Sequence, residues 1–258
     1  MAELRTLVCL KRVPIPGAKI AVTDDGQAVQ TAHLGFTMSP HEECAVEEAV
    51  RLREAHGGEA VALTMGPAEA EEQVRYAISL GMSQGVLVPT DGTDTDPQAT
   101  ARALTAAIRM LEDRDGPFDL ILFGNESADS GGYQVGVRVA HALDRPIVNG
   151  IKGLQLGDGE VTLTRPAGDA DEVYRLPLPA AVGVREGLNL PRYPTFKGRL
   201  TSKKAAVESA EQQPEAGGQR MVRLVQTAEQ VTETEVIGTG PEAADRVVEI
   251  LEELEVLR

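Results

Sequence analysis

Apolar and polar positions along the chain fall into two alternating rhythms. Short apolar runs of strand length stand at residues 4–10, 60–64, 85–88 and 118–123. Between them the apolar positions recur three and four apart, the spacing of a helix with one buried face. Ser39 and Pro40 read as N-cap and first residue of the first helix, with Glu42 and Glu43 in its first turn, where carboxylates suit the dipole. Its inner face is Cys44, Val46, Ala49, Val50 and Leu52, and Gly57-Gly58 ends it. Gly66-Pro67 opens a second helix with Val74, Ala77, Ile78 and Leu80 inward and Gly81 as cap. Asp96-Pro97 opens a third, with Ala99, Ala103, Leu104, Ala107, Ile108 and Leu111. Strands alternating with helices of this length predict an α/β fold, a doubly wound, Rossmann-like and mostly parallel sheet. Ligands of such sheets lie at the carboxyl ends of the strands, where the strand order reverses.

The fourth strand leads into Gly124-Asn125-Glu126-Ser127-Ala128-Asp129-Ser130-Gly131-Gly132, and helical spacing resumes at Tyr133, Val135, Val139, Ala140 and Leu143. A strand, a glycine-containing loop and a helix start together form an anion site. The first helical N–H groups lack intrahelical acceptors, and Gly131 and Gly132 let a phosphate come close to the backbone. The same residues also read as an ordinary turn with Asp129 or Ser130 as N-cap.

After Pro146 the rhythm changes. Residues 151–156 and 161–164 flank Gly157-Asp158-Gly159 as a hairpin, and a second passes through Gly168-Asp169 into 173–178. Residues 179–184 are a further apolar strand, and this part is expected to extend the same sheet. Residues 18–22 suggest a short edge strand. Pro191 and Pro194 make 189–194 irregular, and 196–206 suit a short basic helix. Residues 208–220 read as a flexible linker, 221–225 as extended, and 241–257 as an amphipathic helix. The expected organisation is an α/β nucleotide-binding domain at 1–189, a partner-recognition loop and short helix at 190–206, and a linker with a C-terminal arm at 207–258.

Aromatic residues make up only 3% of the chain, so the core must be Val, Leu, Ile and Ala. A net charge of −15 argues against nucleic acid or an anionic membrane as partner. Cys9 and Cys44 form no disulfide framework and suit a reducing, cytoplasmic setting; no signal peptide or apolar run of membrane length is visible. His33, His41, His56 and His141 show no metal-ligand spacing, no nucleophile–base pair stands out, and neither a Walker loop nor G-x-G-x-x-G occurs. A nucleotide-shaped crevice without catalytic machinery points to a binder or carrier, not an enzyme.

Five stretches in register carry a family resemblance: residues 7–13 (LVCLKRV), 43–49 (ECAVEEA), 65–67 (MGP), 178–182 (LPAAV) and 190–198 (LPRYPTFKG). The chain resembles the beta subunit of electron transfer flavoprotein as far as about Lys204, and its tail only in outline. The resemblance implies a heterodimer with an alpha subunit that holds most of the FAD, and AMP bound structurally in the beta subunit's own crevice. In electron-bifurcating members a second FAD takes that place. By position, Cys9, Ser39, Pro40, His41, Glu42, Met65 and the loop containing Gly124, Asn125, Asp129, Ser130, Gly131, Gly132, Tyr133 and Gln134 would line the crevice. His41 stands where the family often has an aromatic beside the flavin, and Pro16 where an aromatic is common. A protonated His41 would favour the anionic reduced flavin. The recognition loop maps onto Leu190, Arg192, Tyr193, Phe196 and Lys197, with Phe196 as its apolar anchor. The implied role is a carrier of electrons from flavin dehydrogenases, such as the acyl-CoA dehydrogenases of fatty acid oxidation, to a quinone-linked oxidoreductase. A stand-alone nucleotide-binding hydrolase or sensor of the same α/β superfamily is the alternative of another class.

Overall fold

The computed structural model describes residues 3–15, 17, 20–92, 95–212, 217–226 and 235–256. Its elements run β1 (Arg5–Leu10), β2 (Val13–Pro14), β3 (Phe36–Thr37), α1 (Pro40–His56), β4 (Glu59–Gly66), α2 (Glu71–Leu80), β5 (Gln84–Pro89), α3 (Pro97–Asp115), β6 (Leu120–Gly124) and α4 (Val135–Ala142). They continue with β7 (Ile147–Ile151), β8 (Gly153–Leu156), β9 (Glu160–Ala167), β10 (Ala170–Pro177), β11 (Ala180–Val184), α5 (Phe196–Lys204), β12 (Val207–Ser209) and α6 (Ala244–Glu253). The chain divides into two compact units, Met1–Leu224 and Val225–Arg258.

The first unit is built on a seven-stranded sheet in the order β12-β5-β4-β1-β6-β11-β7, parallel throughout. Side chains alternate across β1. Val8 and Leu10 join the core under α1 and α2, while Leu7 and Cys9 join the core under α3 and α4. Both faces are covered, so apolar residues run without a break along the strands. From β1 the chain winds outward to β4 and β5, then returns to place β6 on the other side of β1. The order therefore reverses between β1 and β6, and a crevice opens beyond their carboxyl ends.

The α/β fold and its parallel sheet are as the pattern predicts, and the structure corrects four details. First, the hairpins do not lengthen the main sheet: β8, β9 and β10 form a three-stranded antiparallel sheet of their own. Their pattern explains this. β10 alternates half-buried with exposed residues, as a strand covered on one face does, whereas every residue of β11 is buried. Leu163, Val161 and the half-buried Leu154 and Tyr174 of the small sheet pack on the core beneath α1. Second, β7, a parallel partner of β11, lies upstream of the expected hairpin strand. Third, the expected linker begins inside the sheet. β12 pairs with β5, Ala210 is fully buried, and Glu208 accepts hydrogen bonds from Gln84 Nε2 (2.7 Å) and Arg114 (2.6 Å). Fourth, the expected edge strand at 18–22 is reduced to an isolated bridge of Val22 with Val29; Pro16, Ala18 and Lys19 lie outside the described residues.

In the second unit, α6 follows a short 3-10 turn at Pro241–Ala243, and none of its residues is buried. Of the expected helix at 241–257, residue 257 lies outside the described residues.

Candidate functional site

The crevice is assembled at the N-terminus of α1. Ser39 caps the helix, its hydroxyl accepting from the Glu42 N–H at 3.2 Å, while Glu42 Oε2 accepts from the Ser39 N–H at 2.8 Å. The other Glu42 oxygen accepts from the Lys11 N–H at 2.8 Å. One buried carboxylate thus ties the end of β1 to the start of α1. Burial pushes its pKa up to about 7, against the lowering effect of the Ser39 and Lys11 contacts. Gly124 ends β6 against this cap. A Cβ there would stand 2.8 Å from Glu42 Cγ and 3.3 Å from His41 Cβ, so only glycine permits the approach.

His41 is held from both sides. Its Nδ1 accepts from the Glu186 N–H at 2.8 Å, and its Nε2 faces Glu126 Oε1 at 3.3 Å. With Nδ1 an acceptor, the ring carries its proton on Nε2 and donates to Glu126. The contacts therefore fix the orientation of the imidazole at the start of α1. Glu126 also accepts from the Tyr133 hydroxyl, which holds that phenol above its usual range.

The glycine loop lies beside this group. Asn125 donates its N–H to the Val184 carbonyl of β11 at 2.8 Å. Asp129 pairs with the Lys11 ammonium at 2.6 Å and accepts from the Ser130 N–H at 2.8 Å. Burial raises the Asp129 pKa, but Lys11 and the hydrogen bonds from Ser127 and Ser130 outweigh it and hold the carboxyl below its ordinary value. The Gly131 N–H donates to the Ser127 carbonyl at 3.0 Å. Gly131 and Tyr133 both adopt left-handed backbone, with φ of 52° and 53°. Neither Asp129 nor Ser130 caps the next helix. Its N-cap is Gln134, whose side chain is drawn off by Arg138, so no side chain caps α4. Cys9 and Met65 lie at the carboxyl edge of β1 and β4. Burial, then the charge of Glu42, pushes the Cys9 thiol far up, which leaves it an unreactive wall.

A second cluster lies on the outer side of α1. Arg192 clamps two carboxylates of that helix, Glu47 (2.8 and 3.0 Å) and Glu54 (2.7 and 2.9 Å). Asn189 Nδ2 donates to the Cys44 carbonyl and to Glu48. Arg192 is thus committed to its own domain instead of facing outward with its neighbours. Leu190, Tyr193 and Phe196 are 90%, 88% and 79% exposed, and Leu200 is half out. Lys197 is exposed on α5, which Thr195 caps at its start and Arg75 at its end through the Ser202 and Ala205 carbonyls. Sequence reasoning did not pick out Lys11, Glu186 or Glu47 as site residues, and took in Glu126 only as part of the glycine loop. For Lys11 alone there was a local signal, a cation at the carboxyl end of the first strand.

Against known proteins, the model of the electron transfer flavoprotein domain matches residues 28–215. The chain belongs to the electron transfer flavoprotein beta-subunit family. An electron transfer flavoprotein subunit beta of Syntrophomonas wolfei is 36% identical over 209 residues, 81% of this chain and 80% of that one. One of Bacillus subtilis is 34% identical, covering 80% and 76%, and the human one is 35% identical, covering 81% of each. The family match takes in α1, the glycine loop and α5, while the β1 end of the crevice, with Cys9 and Lys11, lies before it. Among the described residues no helix is long and apolar enough to cross a membrane.

Proposed function

We propose that the chain is the beta subunit of a heterodimeric electron transfer flavoprotein. It takes electrons from flavin dehydrogenases, such as acyl-CoA dehydrogenases, and delivers them to a quinone-linked acceptor in the cytoplasm. The observation that carries this reading is likeness at full scale: about four fifths of both this chain and the Syntrophomonas wolfei relative align. Membership of the family supports the electron-carrying role; the partners and the nucleotides are inferred beyond it.

Three features support reading the crevice as an adenine-nucleotide site. Space is open before Gly132, α4 lacks a side-chain cap, and the site stands where the strand order reverses. In this reading Cys9, Met65 and the α1 start from Ser39 to Glu42 wall the nucleotide, and the loop from Gly124 to Gln134 meets its phosphate, with AMP as the expected ligand. FAD, held mostly by the alpha subunit, supplies the electron chemistry. His41, oriented by Glu126 and Glu186, stands at the start of α1 on the side assigned to the flavin, while Leu190, Tyr193 and Phe196 offer apolar contacts to a dehydrogenase.

Purification with co-expressed neighbours and mass spectrometry of the released nucleotides tests the assignment. FAD and AMP together with a second subunit are expected. FAD in both places would make the pair an electron-bifurcating one, and a colourless lone chain would overturn the proposal.

A further inference from the structure

The anion site of the glycine loop contains an anion of the chain's own. The Asp129 carboxylate bonds the Lys11 ammonium at 2.6 Å through one oxygen and the Ser130 N–H at 2.8 Å through the other. These are the contacts a phosphate would seek, a lysine point charge and a loop amide. A second loop amide, that of Gly131, is spent on the Ser127 carbonyl. The Ser127 and Ser130 hydroxyls bond one another at 2.8 Å. The surroundings add a further carboxylate, that of Glu126 beside the loop. The end of the loop is strained at one residue and open at another. Tyr133 holds a left-handed φ of 53°, which costs a non-glycine residue free energy, and a Cβ on Gly132 would meet nothing within 4 Å.

We propose that Asp129 is a specificity-determining residue of the crevice, a resident counter-anion that a nucleotide's phosphate must displace from Lys11. This rests on the crevice being an adenine-nucleotide site. Lys11 is then the phosphate-binding cation, and Asp129 sets how much of its attraction the ligand receives. A ligand without phosphate leaves the pair closed and is indifferent to both residues.

The test titrates the purified full-length protein, with any subunit that co-purifies and freed of nucleotide, with AMP and with adenosine by calorimetry. Asp129→Asn keeps the shape and removes the competing charge, so AMP affinity should rise about tenfold, in the range of one charge contact. Lys11→Met should lower AMP affinity by a similar factor, and adenosine affinity should stay within twofold in both variants. Melting curves confirm that each variant is folded, and Asp129→Ala repeats the first change without the amide. Opposite signs for the two variants support the displacement. Loss of AMP binding in both, or no change in Asp129→Asn and Asp129→Ala, would mean the pair only braces the loop and would overturn it. If neither AMP nor adenosine binds the unaltered protein or any variant, the nucleotide reading of the crevice fails, and this inference with it.

Discussion

Glu42 shows how one side chain carries several tasks at the crevice. It closes the α1 capping box, receives the Lys11 N–H and limits β6 to glycine at Gly124. Its pKa lies at about 7, above the ordinary 4.5, chiefly because burial penalises the charge. Between those values the folded chain binds more protons than the unfolded one, so this contribution to stability is full below about pH 4.5 and is lost as pH rises through about 7. At about 1.4 kcal/mol per pKa unit the swing is at most about 3.5 kcal/mol. Glu42→Gln should remove it. The parent's stability minus the variant's, read from denaturant melts at pH 4.5, 6 and 7.5, should fall steadily as pH rises. A difference constant across the series would show that Glu42 stays charged.

At the scale of the element, the stretch from Asn189 through α5 is both anchored and exposed. Arg192 and Asn189 fasten it to α1, and α5 packs on α2, its Ser202 buried there. That anchoring leaves Leu190, Tyr193 and Phe196 in solvent without leaving them loose, and a pre-ordered apolar anchor loses less entropy on docking. Phe196→Ala should weaken docking to a cognate dehydrogenase about thirtyfold, from a loss of about 2 kcal/mol, while melting temperature and flavin content hold. Arg192→Met should also weaken docking, but through the loop's order. It strands the buried Glu47 and should cost about 2 kcal/mol of stability, a cost that adding Glu47→Gln partly relieves. Electron transfer measured against dehydrogenase concentration, beside melting curves, separates the two. Normal transfer by Phe196→Ala would show that the recognition loop and α5 are not the contact.

For the whole molecule, the division at Leu224 separates a unit with two packed cores from one whose helix buries nothing. Val247, Val248 and Leu254 of the second unit are 41%, 46% and 67% exposed, an apolar stripe expected to pack on the alpha subunit. A chain ending at Leu224 should keep the cooperative unfolding of the first unit and lose association with that subunit in sedimentation or gel filtration. Undiminished pairing of the truncated chain would place the contact on the first unit instead.

What the sequence determined by itself is whatever depends on neighbours a few residues apart. The start of α1 is written in Ser39, Pro40 and Glu42, and that of α3 in Asp96 and Pro97, because a cap joins groups within one turn. The parallel sheet was legible because strands covered on both faces are apolar throughout. The sequence also marked the glycine loop, but not its state. Whether Asp129 capped α4 or met a cation depended on β1 lying beside β6, which brings Lys11 to it. His41 could be placed at the helix start, yet its tautomer rests on Glu126 and Glu186, 85 and 145 residues away in the chain. The resemblance placed Arg192 in the recognition loop, and only the packing of that loop against α1 shows it turned toward Glu47. Phe196 entered as an apolar anchor through the resemblance alone. Its exposure was decided by which face of α5 settled on α2, a choice of long-range packing that a helix with weak apolar patterning does not announce.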